Sequence, residues 1–125
     1  MTCQYSSAFF AALEQLIGES RVIIDRPRGS AHPKYPTVIY PLDYGYLDNT
    51  SSMDGSGIDL WRGSLPEATL GGIIVTVDLL KRDSEIKLVL GCTEEEVSAV
   101  LAFHNQSDYM KGTWFPREIE KRPVI

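Results

Sequence analysis

Two alternating apolar segments joined by a short turn constrain the fold of this chain more than any other feature of its sequence. In GIIVTVDLL, which begins at Gly72, the odd-numbered residues from Ile73 to Leu79 share one face of an extended strand. In EIKLVL, which begins at Glu85, an isoleucine and two leucines share one face and should be buried. The turn KRDS separates the two segments, so the sequence predicts a pair of neighbouring strands.

A first helix is predicted close to the N-terminus. Ser6 or Ser7 can accept the capping hydrogen bond at its start, and Gly18 can end it. The apolar residues repeat with the spacing of one helical face, which we expect to be buried: Phe9, Ala12, Leu13, Leu16 and Ile17.

A second helix is predicted after the strand pair. Thr93 and Glu96 form the T-x-x-E pattern of a capping box, in which each side chain accepts a hydrogen bond from the other residue's backbone N–H. The successive glutamates of this turn also favour the positive end of the helix dipole. The apolar residues expected to face inward are Val97, Val100 and Leu101.

Two shorter β-branched runs predict further strands. They are RVIID from Arg21 and TVIY from Thr37, and both are bounded by proline or glycine. Several short strands, frequent turn signals and flanking helices indicate a mainly β protein with α elements outside the sheet. We expect a small, closed or partly closed antiparallel barrel in a single domain that spans residues 1–125.

The charges of the chain are unevenly distributed. A formal net charge of −5 argues against a nonspecific nucleic-acid binder, whose surface would be basic. The segment from Arg26 to Tyr35 contains two arginines, a lysine and a histidine but no acid. The segment from Asp43 to Asp59 contains four aspartates and no base. This layout suits a metal-bridged anionic ligand better than a nucleic-acid strand.

The sequence also predicts where the protein works. No stretch approaches the roughly 20 apolar residues of a membrane-spanning helix, and the N-terminus lacks the pattern of a signal peptide. We therefore expect a cytoplasmic protein with no membrane partner. Cys3 and Cys92 have no metal-ligand spacing, and we expect both to be reduced. The sequence does not decide between a monomer and a homo-oligomer.

The segment from Tyr40 to Trp61 carries the residues best suited to chemistry. Asp54 lies in an Asp-Gly-Ser-Gly turn, where a carboxylate can point freely, and Asp59 lies between apolar neighbours on the strand that follows. Alternation alone allows Asp59 to be either a solvated strand residue or part of a site. Three tyrosines of the segment could equally line the rim of a core with their rings: Tyr40, Tyr44 and Tyr46.

A second cluster of charged residues lies at the turn between the two long strands. Strand periodicity places Glu85 and Lys87 on one face, with Asp83 in the turn just before them. If the hairpin stood alone, these residues would be a surface ion pair with an aspartate in the turn beside it. Oxygen-rich magnesium sites, however, draw carboxylates from separate segments, so the two clusters could also form one site.

These segments resemble the signature region of the soluble, magnesium-dependent inorganic pyrophosphatases. In that family a YPxNYGY-like stretch precedes an Asp-x-Asp-Pro-x-Asp motif, and YPLDYGYLDNTSSMDGSGIDL has the same order here. The resemblance continues into KRDSEIKLVLG and covers about residues 24–91. It implies an OB-like antiparallel β-barrel with N- and C-terminal helices, and Mg²⁺ as cofactor.

The resemblance also implies roles for individual residues. Asp54 and Asp59 match two motif aspartates, and Tyr44 matches a tyrosine of the site; these three are the implied catalytic residues. Asp83 and Glu85 fall where the family has two further metal-binding aspartates, so the implied magnesium ligands are Asp54, Asp59, Asp83 and Glu85. The implied phosphate-binding residues are Lys34, Lys87 and Tyr40, with Arg26 and Arg28 in place of a missing family arginine.

Besides the missing arginine and the hairpin that carries it, the chain departs from the family pattern at two places. Ser56 stands where the family has the middle aspartate of the motif, which is associated with activating the attacking water, and Gly57 replaces a proline. Serine cannot serve as a carboxylate base near neutral pH. Near the C-terminus, Gln106 and Ser107 align with a phosphate-binding Tyr-Lys pair of the family.

The function that the resemblance implies is magnesium-dependent hydrolysis of inorganic pyrophosphate to phosphate, in an efficient or a slow, divergent form. Its partner would be a small phosphoanhydride and not a nucleic acid. Two alternatives stay open. One is a phosphate- or nucleotide-binding module that kept the metal carboxylates and lost the base. The other is a hydrolase of a different phosphoanhydride.

Overall fold

The computed structural model describes residues 5–52 and 55–117. Within these ranges it contains two α-helices and six β-strands. In chain order they are α1 (Ser6–Gly18), β1 (Val22–Arg26), β2 (Asp43–Leu47), β3 (Asp59–Arg62), β4 (Leu70–Asp78), β5 (Asp83–Leu90), α2 (Glu94–Asn105) and β6 (Lys111–Pro116). The mainly β class with flanking helices is therefore confirmed.

The strands form one mixed sheet and not the predicted antiparallel barrel. Within the described residues the strand order is β1-β2-β3-β5-β4-β6, and β3 pairs with β5 in the parallel direction. The edge strands β1 and β6 lie at opposite ends of this order, so the sheet is not closed. The prediction of barrel closure was wrong, because within the described residues β1 pairs only with β2 and β6 pairs only with β4. The expected C-terminal helix corresponds to α2, but a further strand, β6, follows it in the chain.

Strand alternation sorts the apolar side chains into two cores. On one face, Leu88 and Leu90 of β5 pack in a cluster with Phe10 of α1. On the opposite face, Trp61 of β3 packs in a cluster with Val100 of α2. Each helix thus covers one face of the sheet, and burial of these side chains stabilises the open arrangement.

The predicted strand TVIY forms only an isolated bridge, between Ala31 and Ile39. Its backbone hydrogen bonds go to the preceding loop: Tyr40 N–H donates to Ser30 O at 3.0 Å, and His32 N–H donates to Val38 O at 2.8 Å. Because the segment folds back on this loop, its β-branched residues do not join the sheet. The segment that follows it supplies β2 instead.

The predicted N-terminal cap is wrong for α1 and right for α2. At α1 the N-cap position is Tyr5, with no side-chain capping bond, so the predicted Ser6 or Ser7 cap was wrong. The buried phenylalanine is Phe10, whereas Phe9 is 43% exposed. At α2 the capping box is confirmed, because Thr93 and Glu96 make both reciprocal hydrogen bonds.

Cys92, the cysteine within the described ranges, is a free thiol, and burial raises its pKa to about 11. Cys3 lies outside these ranges. In the described part of the chain, no helix has both the length and the apolar character that crossing a membrane requires.

Candidate functional site

The sheet face that carries α2 lines an open cleft of about 1220 Å³. Opposed residues of paired strands point to the same face, and alternate residues along one strand share it. Tyr46 is opposite Asp59, and Tyr44 is opposite Trp61, which packs against α2. Three neighbouring strands therefore bring polar side chains into one cleft: Tyr44, Tyr46, Asp59, Glu85 and Lys87.

The ammonium group of Lys87 is the centre of this polar group. Lys87 Nζ donates hydrogen bonds to Asp59 Oδ2 at 2.9 Å, to Glu85 Oε2 at 3.2 Å and to Tyr44 Oη at 2.9 Å. The Lys87 side chain is only 4% exposed. An ammonium group has three N–H donors, and all three are satisfied by protein oxygens here.

Tyr44 completes the arrangement by donating its hydroxyl proton to Asp59 Oδ2 at 2.7 Å. Burial raises the pKa of Tyr44, so the phenol stays neutral at ordinary pH. Burial alone would lower the pKa of Lys87, but the oxygens of Tyr44 and Asp59 outweigh it and raise that pKa above its ordinary value. One buried cation therefore holds two carboxylates from different strands.

Gly45 explains why the tyrosine pattern can sit at this point of the sheet. A Cβ at residue 45 would overlap the backbone carbonyl of Ile23 on β1, so only glycine lets β1 and β2 pair there. The neighbouring Tyr44 ring then packs edge-on against Trp61, with the ring centroids 4.7 Å apart. The Tyr-Gly-Tyr sequence thus has a packing role in the sheet.

A second charged group, all cationic, surrounds His32 in the loop after β1. Arg26 donates a hydrogen bond to the Tyr40 hydroxyl, and its guanidinium carbon lies 5.5 Å from the Tyr40 ring centroid. Burial lowers the pKa of His32, and the nearby charges of Arg26, Lys34 and Lys81 lower it further. These three cations line the cleft and could meet an anion there.

Two predicted phosphate-binding residues have other positions or partners. Arg28 is exposed and is not among the described residues that line the cleft; its backbone N–H donates to Asp43 Oδ1 at 2.8 Å. Lys87 lines the cleft but directs its three N–H groups to Asp59, Glu85 and Tyr44. Lys81 lines the cleft and was missed by sequence reasoning, although it lies in the turn beside Asp83.

The predicted magnesium ligands are brought partly together. Asp59, Asp83 and Glu85 line the cleft, and the Lys87 ammonium links Asp59 to Glu85. Asp54 lies outside the described residues. Within the described ranges no group of three or more His, Cys, Asp or Glu side chains is arranged to hold a metal ion.

Asp78, the last residue of β4, is a further carboxylate that lines the cleft. Asp78 Oδ1 accepts hydrogen bonds from the backbone N–H groups of Leu80 and Lys81, both at 2.9 Å. This carboxylate therefore stabilises the turn that carries Lys81 into the cleft.

Ser56, which stands where the family that the sequence resembles has an aspartate, is exposed and lines the cleft. A carboxylate introduced there would therefore face the same space as Asp59. The following Gly57 has no room for a larger residue, because a Cβ at this position would lie 2.8 Å from both Leu47 O and Tyr46 Cδ2. A proline introduced at residue 57, as in the family that the sequence resembles, would therefore clash with these atoms.

His104, in the last turn of α2, is a buried polar residue that sequence reasoning missed. Trp61 Nε1–H donates to His104 Nε2 at 3.1 Å, so the proton of the neutral imidazole lies on Nδ1. Burial and the charge of Lys87 lower the pKa of His104 to about 4. The signal was its spacing, since His104 lies four residues after the inward-facing Val100.

A scan of the sequence against protein-family models finds no matching family, and a search of curated proteins finds no match. The resemblance to the soluble pyrophosphatases therefore rests on the residues and motifs quoted above.

Proposed function

We propose that the cleft binds a phosphoanhydride as its magnesium complex and hydrolyses it, with inorganic pyrophosphate as the simplest substrate. The observation that carries this proposal is the presence of two charged groups in one cleft. Asp59 and Glu85 meet at Lys87, while cations including Arg26 and Lys34 surround His32. A magnesium complex of a phosphoanhydride presents its metal ion to carboxylates and its phosphate oxygens to cations.

The described carboxylates fit magnesium in their ligand chemistry, since it prefers hard oxygen donors. Magnesium commonly keeps several waters and uses one or two protein carboxylates together with substrate phosphates, so a three-residue cluster is not required. Asp59 and Glu85 would hold the ion, with Asp83 nearby in the cleft. When bound, the ion would neutralise phosphate charge and lower the pKa of a water.

Lys87 and Tyr44 would act as positioning residues for Asp59. Both hydrogen bonds between these residues and the carboxylate are accepted by Asp59 Oδ2. Among the described residues Oδ1 accepts none, and we propose that this oxygen faces the ligand. Because the hydrogen bonds fix the carboxylate before a ligand arrives, less side-chain freedom is lost on binding.

Arg26, Lys34 and Lys81 would bind the phosphate oxygens. The Arg26 guanidinium is oriented by its hydrogen bond to Tyr40 and by the ring faces of Tyr40 and Tyr44. Arginine can present two parallel N–H groups to a phosphate, whereas lysine acts as a point charge. Arg26 would therefore orient the phosphate group, and the lysines would neutralise its charge.

A second candidate is a phosphate- or nucleotide-binding module without hydrolytic activity. Ser56 favours it, because the position that carries the water-activating aspartate in the resembling family offers only a hydroxyl here. Both candidates predict phosphoanhydride binding in the cleft. They differ in whether phosphate is released.

A phosphate-release assay with pyrophosphate, in Mg²⁺ and in excess chelator, tests the proposal. A phosphomonoester serves as the matched substrate control because it lacks the anhydride bond. We expect release from pyrophosphate that requires Mg²⁺ and exceeds release from the monoester. Binding of pyrophosphate without release would support the binding module, and failure to bind it would contradict both candidates.

A further inference from the structure

Part of the rim of the cleft is apolar, although its floor is charged. Tyr35 is 54% exposed, Leu80 is 65% exposed and Tyr109 is 48% exposed, and all three line the cleft. They come from three separate segments: the loop after β1, the turn between β4 and β5, and the connection from α2 to β6. A cleft with a polar floor and a partly apolar rim is suited to a ligand that has both kinds of surface.

Aromatic rings connect the rim to the floor along one side of the cleft. The ring centroids of Tyr35 and His32 are 5.0 Å apart, and His32 is stacked on Tyr40 with an interplanar angle of 11° and a centroid distance of 6.3 Å. Tyr40 in turn lies 5.4 Å from Tyr44, whose hydroxyl contacts Asp59 and Lys87. A planar group placed at the rim would therefore meet rings that continue to the charged floor.

Inorganic pyrophosphate cannot use this rim. It has no apolar or aromatic surface, so its binding would bury nothing against Tyr35, Leu80 or Tyr109. The cleft, at about 1220 Å³, is also larger than the roughly 300–1,000 Å³ typical of small-ligand pockets. Lys34 and Lys81 line the same cleft as His32 and Tyr35, so cationic charge is available beside the rings as well as at the floor.

We infer that the cleft takes an organic phosphoanhydride with a planar aromatic group, namely a nucleoside diphosphate or triphosphate, whose base stacks on Tyr35 beside His32. This inference rests on the proposed function for the phosphate-binding part of the cleft and adds the class of ligand. The phosphates meet Arg26, Lys34 and Lys81, and the base lies against the exposed ring. Stacking of this kind tolerates any base, since every base has a π-face.

Calorimetric titration with ADP and with inorganic pyrophosphate tests the inference, because both ligands carry a diphosphate and only ADP carries a base. Measurements use the full chain in Mg²⁺, with Tyr35→Ala and Tyr35→Phe as the paired variants. A base stacked on an aromatic ring contributes about 1–3 kcal/mol, which is roughly 5- to 150-fold in affinity. Tyr5→Ala removes a tyrosine that is 76% exposed and does not line the cleft, and it serves as control.

We expect Tyr35→Ala to weaken ADP binding at least fivefold and to leave pyrophosphate binding within about twofold, since only ADP has a base to stack. Tyr35→Phe and Tyr5→Ala should bind ADP as the unmodified protein does. Equal losses for both ligands, no loss for ADP, or binding of pyrophosphate without ADP would overturn the inference. Hydrolysis of pyrophosphate without ADP binding would contradict this inference and leave the proposed function intact. The predicted ADP binding pattern without phosphate release would contradict only the proposed hydrolysis.

Discussion

The ammonium nitrogen of Lys87 lies 2.9 Å from Asp59 Oδ2 and makes a second ion pair, at 3.2 Å, with Glu85 Oε2. The two carboxylates come from neighbouring parallel strands and would repel one another without a cation between them. Removing one partner of a buried ion pair costs far more than the pair contributes, because a charge is left without compensation. Lys87 therefore determines whether the carboxylates of the cleft can coexist before any ligand binds.

Replacing Lys87 with methionine should destabilise the protein and make its stability depend on magnesium. The loss should be about 3 kcal/mol, at the lower end for a broken buried pair because both carboxylates are partly exposed. Mg²⁺ should recover more stability in this variant than in the unmodified protein, since the carboxylates lack their own cation. Urea denaturation with and without Mg²⁺ measures both effects.

Lys111→Met is the matched control, because Lys111 pairs with Asp108 at 3.7 Å on the surface and both side chains are mostly exposed. An exposed pair contributes about 0–1 kcal/mol, so this control should change little and show no magnesium effect. Equal losses in the two variants would contradict the role given to Lys87.

Asp59→Asn should weaken magnesium binding and reduce stability moderately. The amide can still accept hydrogen bonds from Tyr44 and Lys87, but it removes the charge opposite a buried ammonium. Hydrogen bonds to charged groups contribute about 1.5–3 kcal/mol, so we expect a loss of about 1–2 kcal/mol. Equilibrium unfolding gives the stability, and magnesium titration gives the affinity. A more stable variant would show that repulsion between carboxylates outweighs the attraction to Lys87.

Ser56→Asp should increase magnesium-dependent phosphate release from pyrophosphate. The residue lines the cleft, and general-base assistance typically contributes about 10²- to 10⁴-fold, so even a partly misplaced carboxylate should give at least tenfold. Ser56→Asn is the control of similar size without a base. Gly57 is left unchanged, because any Cβ there would press on Leu47 and Tyr46. The same rate in the aspartate and asparagine variants would mean that another group manages the proton of the water.

His104 should make the protein sensitive to acid. Its pKa falls from an ordinary 6.5 to about 4 on folding, so the unfolded chain binds the extra proton first as the pH decreases. The stability is complete above about pH 6.5 and is lost progressively as the pH falls toward about 4. Between pH 7 and pH 4.5 the loss due to this group is roughly 2–3 kcal/mol.

His104→Gln tests this pH dependence, because glutamine can accept the Trp61 N–H but does not titrate. The variant should lose less stability than the unmodified protein between pH 7 and pH 4.5, as measured by urea denaturation at each pH. Both proteins have the same carboxylates, so the contribution of these groups to the pH dependence cancels when the two free energies of unfolding are subtracted. An identical pH dependence in the two proteins would show that His104 is not held neutral by burial.

Local patterns in the sequence predicted the strands whose side chains alternate between two faces and the helix whose N-terminus is capped by a side chain. The face shared by Glu85 and Lys87 follows from strand periodicity, and the Thr93 capping box follows from spacing alone. Ile86 was expected to be buried with its neighbours, but it is 39% exposed. Burial of a strand residue depends on which helix covers that part of the sheet, and periodicity carries no information on this.

Long-range relationships were harder to predict. No local pattern specifies the parallel pairing of β3 with β5, nor that β1 and β6 end as the two edges of the sheet within the described residues. Glu85 lies on the same strand as Lys87, but Asp59 and Tyr44 reach Lys87 only because β3 lies between β2 and β5, so the sequence could not show that all its N–H groups are used. Likewise, Lys81 and His104 reach the cleft through the turn after Asp78 and the end of α2, which are placed by tertiary packing.

The initial rate of phosphate release from magnesium pyrophosphate, compared between Asp59→Asn and Asp48→Asn, tests the central claim most directly. Both variants remove one aspartate charge that is ion-paired, but Asp48 pairs with the exposed Arg21 and does not line the cleft. The account predicts that Asp48→Asn keeps the unmodified rate and that Asp59→Asn lowers it at least tenfold, because electrostatic groups at such sites commonly contribute about 10²- to 10³-fold. Equal rates in the two variants, or no magnesium-dependent release from the unmodified protein, would contradict it.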